Sequence, residues 1–365
     1  MKSLKFAVGM ALAAGLLIWP ETALNAARQA MWTWTQSVAP ALFPFMALMP
    51  LLTCREAVQA YERLLGKILP PLLHMPGAAA PALVIGMTAG SPAGALAAVR
   101  VSAAAGLNRS QTERLVFCVC GLSPAFLVTG IGASMLGNAA DGWLLLRAQI
   151  LTQLTLLLLT RHGVNQGNDL PAVPESMPES TLSAAVNGVL AVCGYMVLYN
   201  VAAALLAEAL RNPWAGIAVL CALDLPSGAR ALANLPMNAE IRLILLSALV
   251  GFGGLCIAAQ NLAACRTAGV RPLRYFAMRI GSAGMMAGWM GVQLQLRVPG
   301  GGKTMSALPF AALIACGLAV PVLFQWMDQQ SLNKESFSEN QPIELKNEEK
   351  PQDIAAFNQT NIKIM

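Results

Sequence analysis

Gly90-Ser91-Pro92-Ala93-Gly94, and Asp224-Leu225-Pro226-Ser227-Gly228 about 130 residues later, decide how this chain folds. Each lies inside an apolar segment, 78–107 and 213–236, that is too short to cross a bilayer twice, since one helical crossing takes about 20 residues. Proline fixes one backbone torsion and glycine tolerates a tight turn, so each segment reads as a helical hairpin folded back on itself. The motif Pro-x-Gly-Ala occurs at 92–95 and again at 226–229. Each hairpin is followed by an apolar run interrupted in its middle. The first run, 114–136, breaks at Gly121-Leu122-Ser123-Pro124, and the second, 240–262, at Gly251-Phe252-Gly253-Gly254. Glu113-Arg114-Leu115-Val116 ahead of the first break matches Ile241-Arg242-Leu243-Ile244 ahead of the second. Hairpin followed by broken helix is therefore one unit used twice.

Composition puts that unit in a membrane. Of 365 residues, 56% are hydrophobic and 12% charged, with a mean hydropathy of +0.58, against about a quarter charged in a soluble domain. The net charge of +6 comes without a basic stripe or zinc-finger spacing, so nucleic acid is not an expected partner. Its distribution suits topogenic charge at cytoplasmic helix ends. The eight cysteines are scattered through apolar runs, and the close pair Cys118 and Cys120 points to different helix faces. Neither a disulfide nor a metal site follows from them. No His-Glu-x-x-His, Walker loop or Ser-His-Asp set is present, so no catalytic residue, enzyme activity or cofactor is expected.

Taken in order, residues 1–76 hold a transmembrane pair and an interfacial helix. Lys2 and Lys5 precede an apolar run from Phe6 to Trp19, read as a first crossing that stops at Pro20 in preference to a signal peptide cleaved near Ala26. A second crossing runs from about Met31 to Thr53 through Pro40, Pro44 and Pro50, and such a helix needs protein neighbours to repair its freed carbonyls. The charged and leucine-bearing stretch 54–76 lies along the interface. The first repeat occupies 77–162 as hairpin, broken helix and span. A polar linker, 163–181, separates it from the second repeat, 182–268, built as span, hairpin and broken helix. C-terminal spans fill 269–327, and a polar tail, 328–365, is read as disordered.

Charge placement supports the layout. With a cytoplasmic N-terminus and each hairpin entering and leaving on one side, the inner face holds Lys2, Lys5, Arg55, Arg63, Lys67, Arg109, Arg114, Arg161, Arg266, Arg271, Arg274 and Arg279. The outer face holds Arg28, Arg211, Arg242, Arg297 and Lys303. That follows the positive-inside rule, and it brings the two hairpins in from opposite sides, as in transporters built from inverted repeats. The expected fold is an all-α polytopic membrane protein: an inverted repeat with two re-entrant helical hairpins, two broken transmembrane helices and about eight full spans.

A break at membrane depth frees N–H groups on one half-helix and carbonyls on the other, tolerable only where they line a polar cavity. Two hairpin turns and two breaks meeting halfway would form one. Half-helix N-termini suit an anion, and the carbonyl ends suit a coupling cation. The candidate substrate-binding residues are Ser91, Pro92, Ala93, Gly94, Gly121, Ser123, Pro124, Asp224, Ser227, Gly228, Gly253, Gly254 and Gln260. Asp224 is the carboxylate placed within an embedded element away from its ends, and intramembrane acids serve by default as cation ligands, proton carriers or substrate contacts. Its alternative role is a plain ion pair with Arg230 across the turn.

Gly90 to Gly94, Ser123-Pro124-Ala125-Phe126 with Gly130-Ile131-Gly132 and Gly142-Trp143-Leu144-Leu145-Leu146, Leu223 to Gly228, and Gly253-Gly254-Leu255-Cys256-Ile257-Ala258-Ala259-Gln260 together resemble the sporulation integral membrane protein YlbJ (SpoVV-like) family, with its nucleoside-recognition Gate repeats. The likeness covers about residues 35 to 300. It departs from the family's pattern where Gly121-Leu122 stands in place of an asparagine and Asp224 in place of a glutamate. The resemblance implies a distant relation to concentrative nucleoside transporters, and through it a homo-oligomer by analogy. It further implies export of dipicolinate or a similar small anion from the mother cell during endospore formation, in the mother-cell or outer forespore membrane. The alternatives are a nucleoside-type solute, or a scaffold that recruits sporulation proteins without transporting. H+ and Na+ both stand open as a coupling ion.

Overall fold

The computed structural model describes residues 2–160, 182–296 and most of 311–320. The linker 163–181 and the tail 328–365 lie outside the described residues. Among those described, the chain is helical throughout, with four helices long and apolar enough to cross a membrane: Pro20–Thr53, Ala139–Leu159, Leu182–Leu210 and Ala239–Ala264. That is the make-up of a polytopic membrane protein.

The N-terminal part differs from the sequence expectation in one respect. Helix α1 (Lys2–Ile18) ends where Pro20 predicts, but α2 (Pro20–Thr33) starts at that proline, not near Met31. Proline is favoured at the first helical position, where its missing N–H has no partner to lose. Helix α2 continues through a π-helical turn, Trp34–Val38, into α3 (Ala39–Thr53). The wide turn stands just ahead of Pro40 and Pro44, whose rings crowd the carbonyls of the turn before them. The Trp34 indole anchors the turn by donating from Nε1 to Val189 O at 3.1 Å. Helix α4 (Arg55–Leu65) and short α5 (Leu69–Leu73) follow, and Glu62 Oε2 accepts from Ala78 N at 2.6 Å.

The first hairpin is α6 (Ala80–Thr88) and α7 (Ala93–Ala105). At 1.5 Å per residue neither arm reaches the ~30 Å of a hydrocarbon core. The arms touch backbone to backbone: a Cβ on Gly94 would stand 2.7 Å from Gly86 Cα and 2.7 Å from Val119 O. Asn108 and Gln111 then form a reciprocal cap that starts α8 (Arg109–Val119) as the sequence Asn-Arg-Ser-Gln predicts. The chain leaves helix at Cys120–Ser123 and resumes at Pro124, passing into a π-helical stretch, Phe126–Met135, before α9 (Ala139–Leu159).

After α10 (Leu182–Leu210), the second hairpin is α11 (Pro213–Leu223) and α12 (Leu225–Ala233), turning on Asp224 alone. Helices α13 (Ala239–Phe252) and α14 (Gly254–Ala264) meet at Gly253, whose φ of +85° is left-handed and open to glycine. Helix α15 (Pro272–Leu296) packs on α13 through small residues, Gly251 sitting against Ser282 O. The last expected crossing, 306–326, is described only within 311–320, where Gly317 lies against Gly281 of α15.

Burial divides these elements in a telling way. One apolar cluster joins the first hairpin, α8 and residues Cys256 and Ala258 of α14. The other joins α12, α13 and Phe126, Leu127 and Ile131 of the π-helical stretch. Each cluster thus holds one hairpin arm or pair, the half-helix that follows it, and the far half of the other broken helix. The two units interlock at their breaks.

Backbone contact between the arms of the first hairpin makes Gly94→Val an overpacking substitution costing about 1–3 kcal/mol. Gly9, with nothing within 4 Å of its Cβ position, accepts alanine at no cost. Thermal unfolding of the purified variants in detergent checks both, and equal midpoints would contradict the packing described.

Candidate functional site

The two breaks differ in construction. The first has four non-helical residues whose polar groups turn to side chains and to the hairpin. Gln149, on α9, pairs its amide with Leu122 as a second strand would, accepting from Leu122 N at 2.8 Å and donating to Leu122 O at 2.8 Å. Ser91 N in the first hairpin turn donates to Gly121 O at 2.8 Å. The approach is close enough that a Cβ on Gly90, itself at φ +74°, would stand 2.5 Å from Ser123 N. The Ser123 hydroxyl accepts from Phe126 N at 3.3 Å and opens the next helical turn.

The second break is one residue wide. Gly254, at φ +75°, lies against the turn of the second hairpin, with Leu225 N and Leu223 O 3.3 and 3.4 Å from its Cβ position. In that turn Asp224 caps α12. Its Oδ2 accepts from Ser227 N at 3.1 Å and from Ser227 Oγ at 2.6 Å. Its Oδ1 is buried without a partner, and the residue is 1% exposed. The ion pair with Arg230 considered above does not form: Arg230 Nη2 turns to Thr33 Oγ1 at 3.5 Å.

Both hairpin turns, the first break and the first turns of α14 just past the second break border one cavity of about 60 Å³. Of the sequence candidates, Ser91, Ser123, Asp224 and Gln260 line it, with Leu225, Pro226, Cys256 and Ile257. Val38 and Leu42 of the α2–α3 rod and Val192 and Met196 of α10 complete its apolar wall. The remaining candidates frame the cavity. Pro92 and Ala93 start α7, Pro124 restarts the first broken helix, and Gly94 and Gly228 let the hairpin arms close, the latter against Cys221 Cα. Ser227 holds Asp224, while Gly121, Gly253 and Gly254 shape the breaks. At this size the cavity holds a few waters and is smaller than the 300–1,000 Å³ usual for a ligand pocket. A larger polar space of about 350 Å³ adjoins it, bordered by Thr33, Gln36, Ser134, Arg230 and Asn234. Phe126 borders both and stands between them.

Three residues at the site escaped the sequence reading. Gln149 is one of several polar residues in a largely apolar helix, a signal that general membrane-packing rules attach to helix association. Asn261, 0% exposed, donates from Nδ2 to Ser91 Oγ at 3.1 Å and to Tyr275 Oη at 2.7 Å. It ties the first hairpin turn to the second broken helix. Arg279 was assigned to the inner rim, yet it is 7% exposed and lies about two turns inside α15. Its guanidinium donates to Phe252 O at 2.9 Å, to Val250 O at 3.1 Å and to Cys120 O. It thereby satisfies two of the last carbonyls of α13 and that of Cys120, the residue that closes α8. The signal was there in its neighbours, Met278, Ile280 and Gly281. The other basic residues of that stretch do sit at one end, where Arg109, Arg271 and Arg274 surround Glu113, which is 2% exposed.

No family model and no solved structure matches the chain. Over 150 residues, 41% of its length, it is 29% identical to the sporulation integral membrane protein YlbJ of Bacillus subtilis (strain 168), covering 37% of that protein. The chain thus matches well under half the length of this curated relative.

Replacing Gln149 by Met keeps the volume and removes both partners of Leu122. Each buried backbone group left unpaired costs about 1–3 kcal/mol, so unfolding in detergent shifts strongly. Gln153 has both amide atoms buried and unpartnered, and Gln153→Met is neutral or stabilising. Equal losses for the two would show that the Gln149 amide does not hold the break.

Proposed function

We propose that the chain is a membrane transporter of a small organic anion, and that its solute is dipicolinate leaving the mother cell during endospore formation. The observation that carries the transport reading is the convergence of two hairpin turns, the first helix break and the start of α14 after the second on one cavity, with a carboxylate oxygen buried there and unpartnered. Membrane-embedded acids of that kind mark ion and substrate paths, and discontinuous helices build transporter sites near the midplane. Similarity to a protein named for sporulation supports the setting.

The geometry also supports a manner of holding the solute. The N-terminus of α12 is already occupied by Asp224, whereas α7 and α14 begin without a side-chain cap. An acidic group on the solute goes to those two ends, where the partial charge of the helices is positive. Asp224 Oδ1 pairs with the solute as an acceptor when ionised and as a donor when protonated. An unpartnered acceptor beside apolar walls also suits a nucleoside, which is the second reading. The cavity is narrow here, so solute entry requires that it widen, and Phe126 is the side chain to move. In the inverted arrangement we infer for the two units, the 350 Å³ space at the open end of the second hairpin faces away from the cytoplasm. The space of about 610 Å³ at Ala105, Gly106 and Leu107 faces towards it. The interlocked clusters, each containing half of the other unit's broken helix, are what two copies related by a two-fold axis in the membrane plane would form.

Protein in liposomes takes up labelled dipicolinate, and Asp224→Asn lowers the rate about tenfold or more while keeping the fold, since the amide still accepts from Ser227. If neither dipicolinate nor nucleosides move, transport is abandoned; nucleoside uptake alone moves the conclusion to the second reading. In a background without native cysteines, Ala105→Cys and Asn234→Cys are labelled by an impermeant thiol reagent from opposite sides of the membrane. Labelling from the same side excludes the inverted repeat.

A further inference from the structure

We infer that Arg279 is the protein's own occupant of the cation position at the paired breaks, so that the solute moves without sodium or another metal cation and the ion accompanying it is a proton on Asp224. The second half rests on the transport reading; the first does not.

The carbonyl ends of a broken helix are where a cation is expected, because the last C=O groups of a helix have no internal partner and carry partial negative charge. Here those ends are brought together. Cys120 O closes α8, and Val250 O and Phe252 O close α13, and one guanidinium takes hydrogens to all three. Arginine is permanently protonated, presents its donors in a fixed fork and accepts nothing, so it does permanently what a bound metal ion would do transiently. It is held on α15 and does not travel with the solute. The fit is close: Gly253, at φ +85°, would place a Cβ 2.9 Å from Arg279 Nη2. Among the described residues, no group of three His, Cys, Asp or Glu side chains provides another place for a metal.

With that position filled, the cavity has one ionisable carboxylate, Asp224. Among the charged or titratable groups on the elements around it, α10, which supplies Val192 and Met196 to the wall, carries Cys193, Tyr195, Tyr199 and Glu208. Arg230 is on its own helix and directed to Thr33, Cys221 is on α11, and Cys256 of α14 shares the cavity wall. Helix α13 carries Glu240 and Arg242 at its start, two turns or more from the break, and the π-helical stretch has no ionisable side chain. A proton on Oδ1 neutralises the carboxyl while Oδ2 keeps its bonds to Ser227. This lets an acidic solute enter beside it, and proton and solute leave together, the proton offsetting one of the solute's negative charges.

Thermal stability of the wild-type protein in detergent, compared in sodium, potassium, lithium and choline chloride at equal ionic strength, shows no cation-specific shift. Arg279→Ala unfolds at lower temperature and regains several degrees in millimolar guanidinium relative to choline, a gain the wild type does not show; Arg279→Lys is intermediate. A sodium-specific stabilisation of the wild type, or a folded Arg279→Ala protein indifferent to guanidinium, overturns the assignment. If Arg279→Ala does not fold, the wild-type comparison decides alone. In liposomes, exchanging sodium for choline leaves uptake unchanged. A gradient of one pH unit, acid on the solute's side, supports up to about tenfold accumulation at one proton per solute, and Asp224→Asn loses it. Sodium-driven uptake refutes the proton. Absence of uptake under every gradient refutes transport and the proton with it, while the stability comparison still decides the role of Arg279.

Discussion

A guanidinium with its hydrogens on three carbonyls from two different helices is the interaction on which the middle of this protein depends. A helix cannot be interrupted in hydrocarbon unless each freed peptide group finds a partner, and two interruptions side by side double the demand. Arg279 meets part of the carbonyl demand at both, taking Cys120 O at the first and Val250 O and Phe252 O at the second. Its own burial becomes tolerable by the same bonds, since a charge away from water is stable only when paired and hydrogen-bonded. Charge and breaks therefore stabilise each other, and removing either leaves the other exposed to a low-dielectric surrounding.

The rest of the centre solves the same problem with neutral groups. At the wide first break, Gln149 supplies a donor and an acceptor to one residue, and the first hairpin turn supplies an N–H. At the narrow second break there is little to supply, because left-handed Gly253 passes from one helix to the next without a gap. Asn261 then joins the second broken helix to the first hairpin through Ser91. These contacts bridge segments far apart in the chain, so neither unit's centre is complete without the other. The two hairpin-and-break segments therefore form one centre between them.

Much of the fold was legible because it is written in glycine and proline. Both hairpin turns and both breaks lie where Pro92, Gly121, Pro226 and Gly253 place them, since these residues act on the backbone they belong to. The Asn108 cap was legible for the same reason. Pro20 misled the reading of the first crossings because a proline that ends one helix equally well begins the next. The site was half legible. Ser91, Ser123, Asp224 and Gln260 were found and do border one cavity, but the partners of the breaks were not. Gln149, Asn261 and Arg279 act on backbone groups distant in sequence, and nothing in a local pattern says which carbonyl a lone polar side chain will meet. Arg279 was counted with its exposed neighbours because charge composition is blind to depth.

On the proposed transport reading, this changes what the cavity would recognise. The expectation was a site of bare peptide groups, attractive to any solute with matching charge. Instead most of the freed groups are already paired, by Gln149, Ser91, Asp224 and Arg279, leaving the uncapped starts of α7 and α14 and one oxygen of Asp224. Few unpaired groups against apolar walls would make for selectivity by rejection. A solute that fails to satisfy Asp224 Oδ1 leaves a buried acceptor unpaired at about 1–3 kcal/mol, roughly a fivefold to hundredfold discrimination from a single atom. A protein that had left its breaks open would bind more solutes and tell them apart less well.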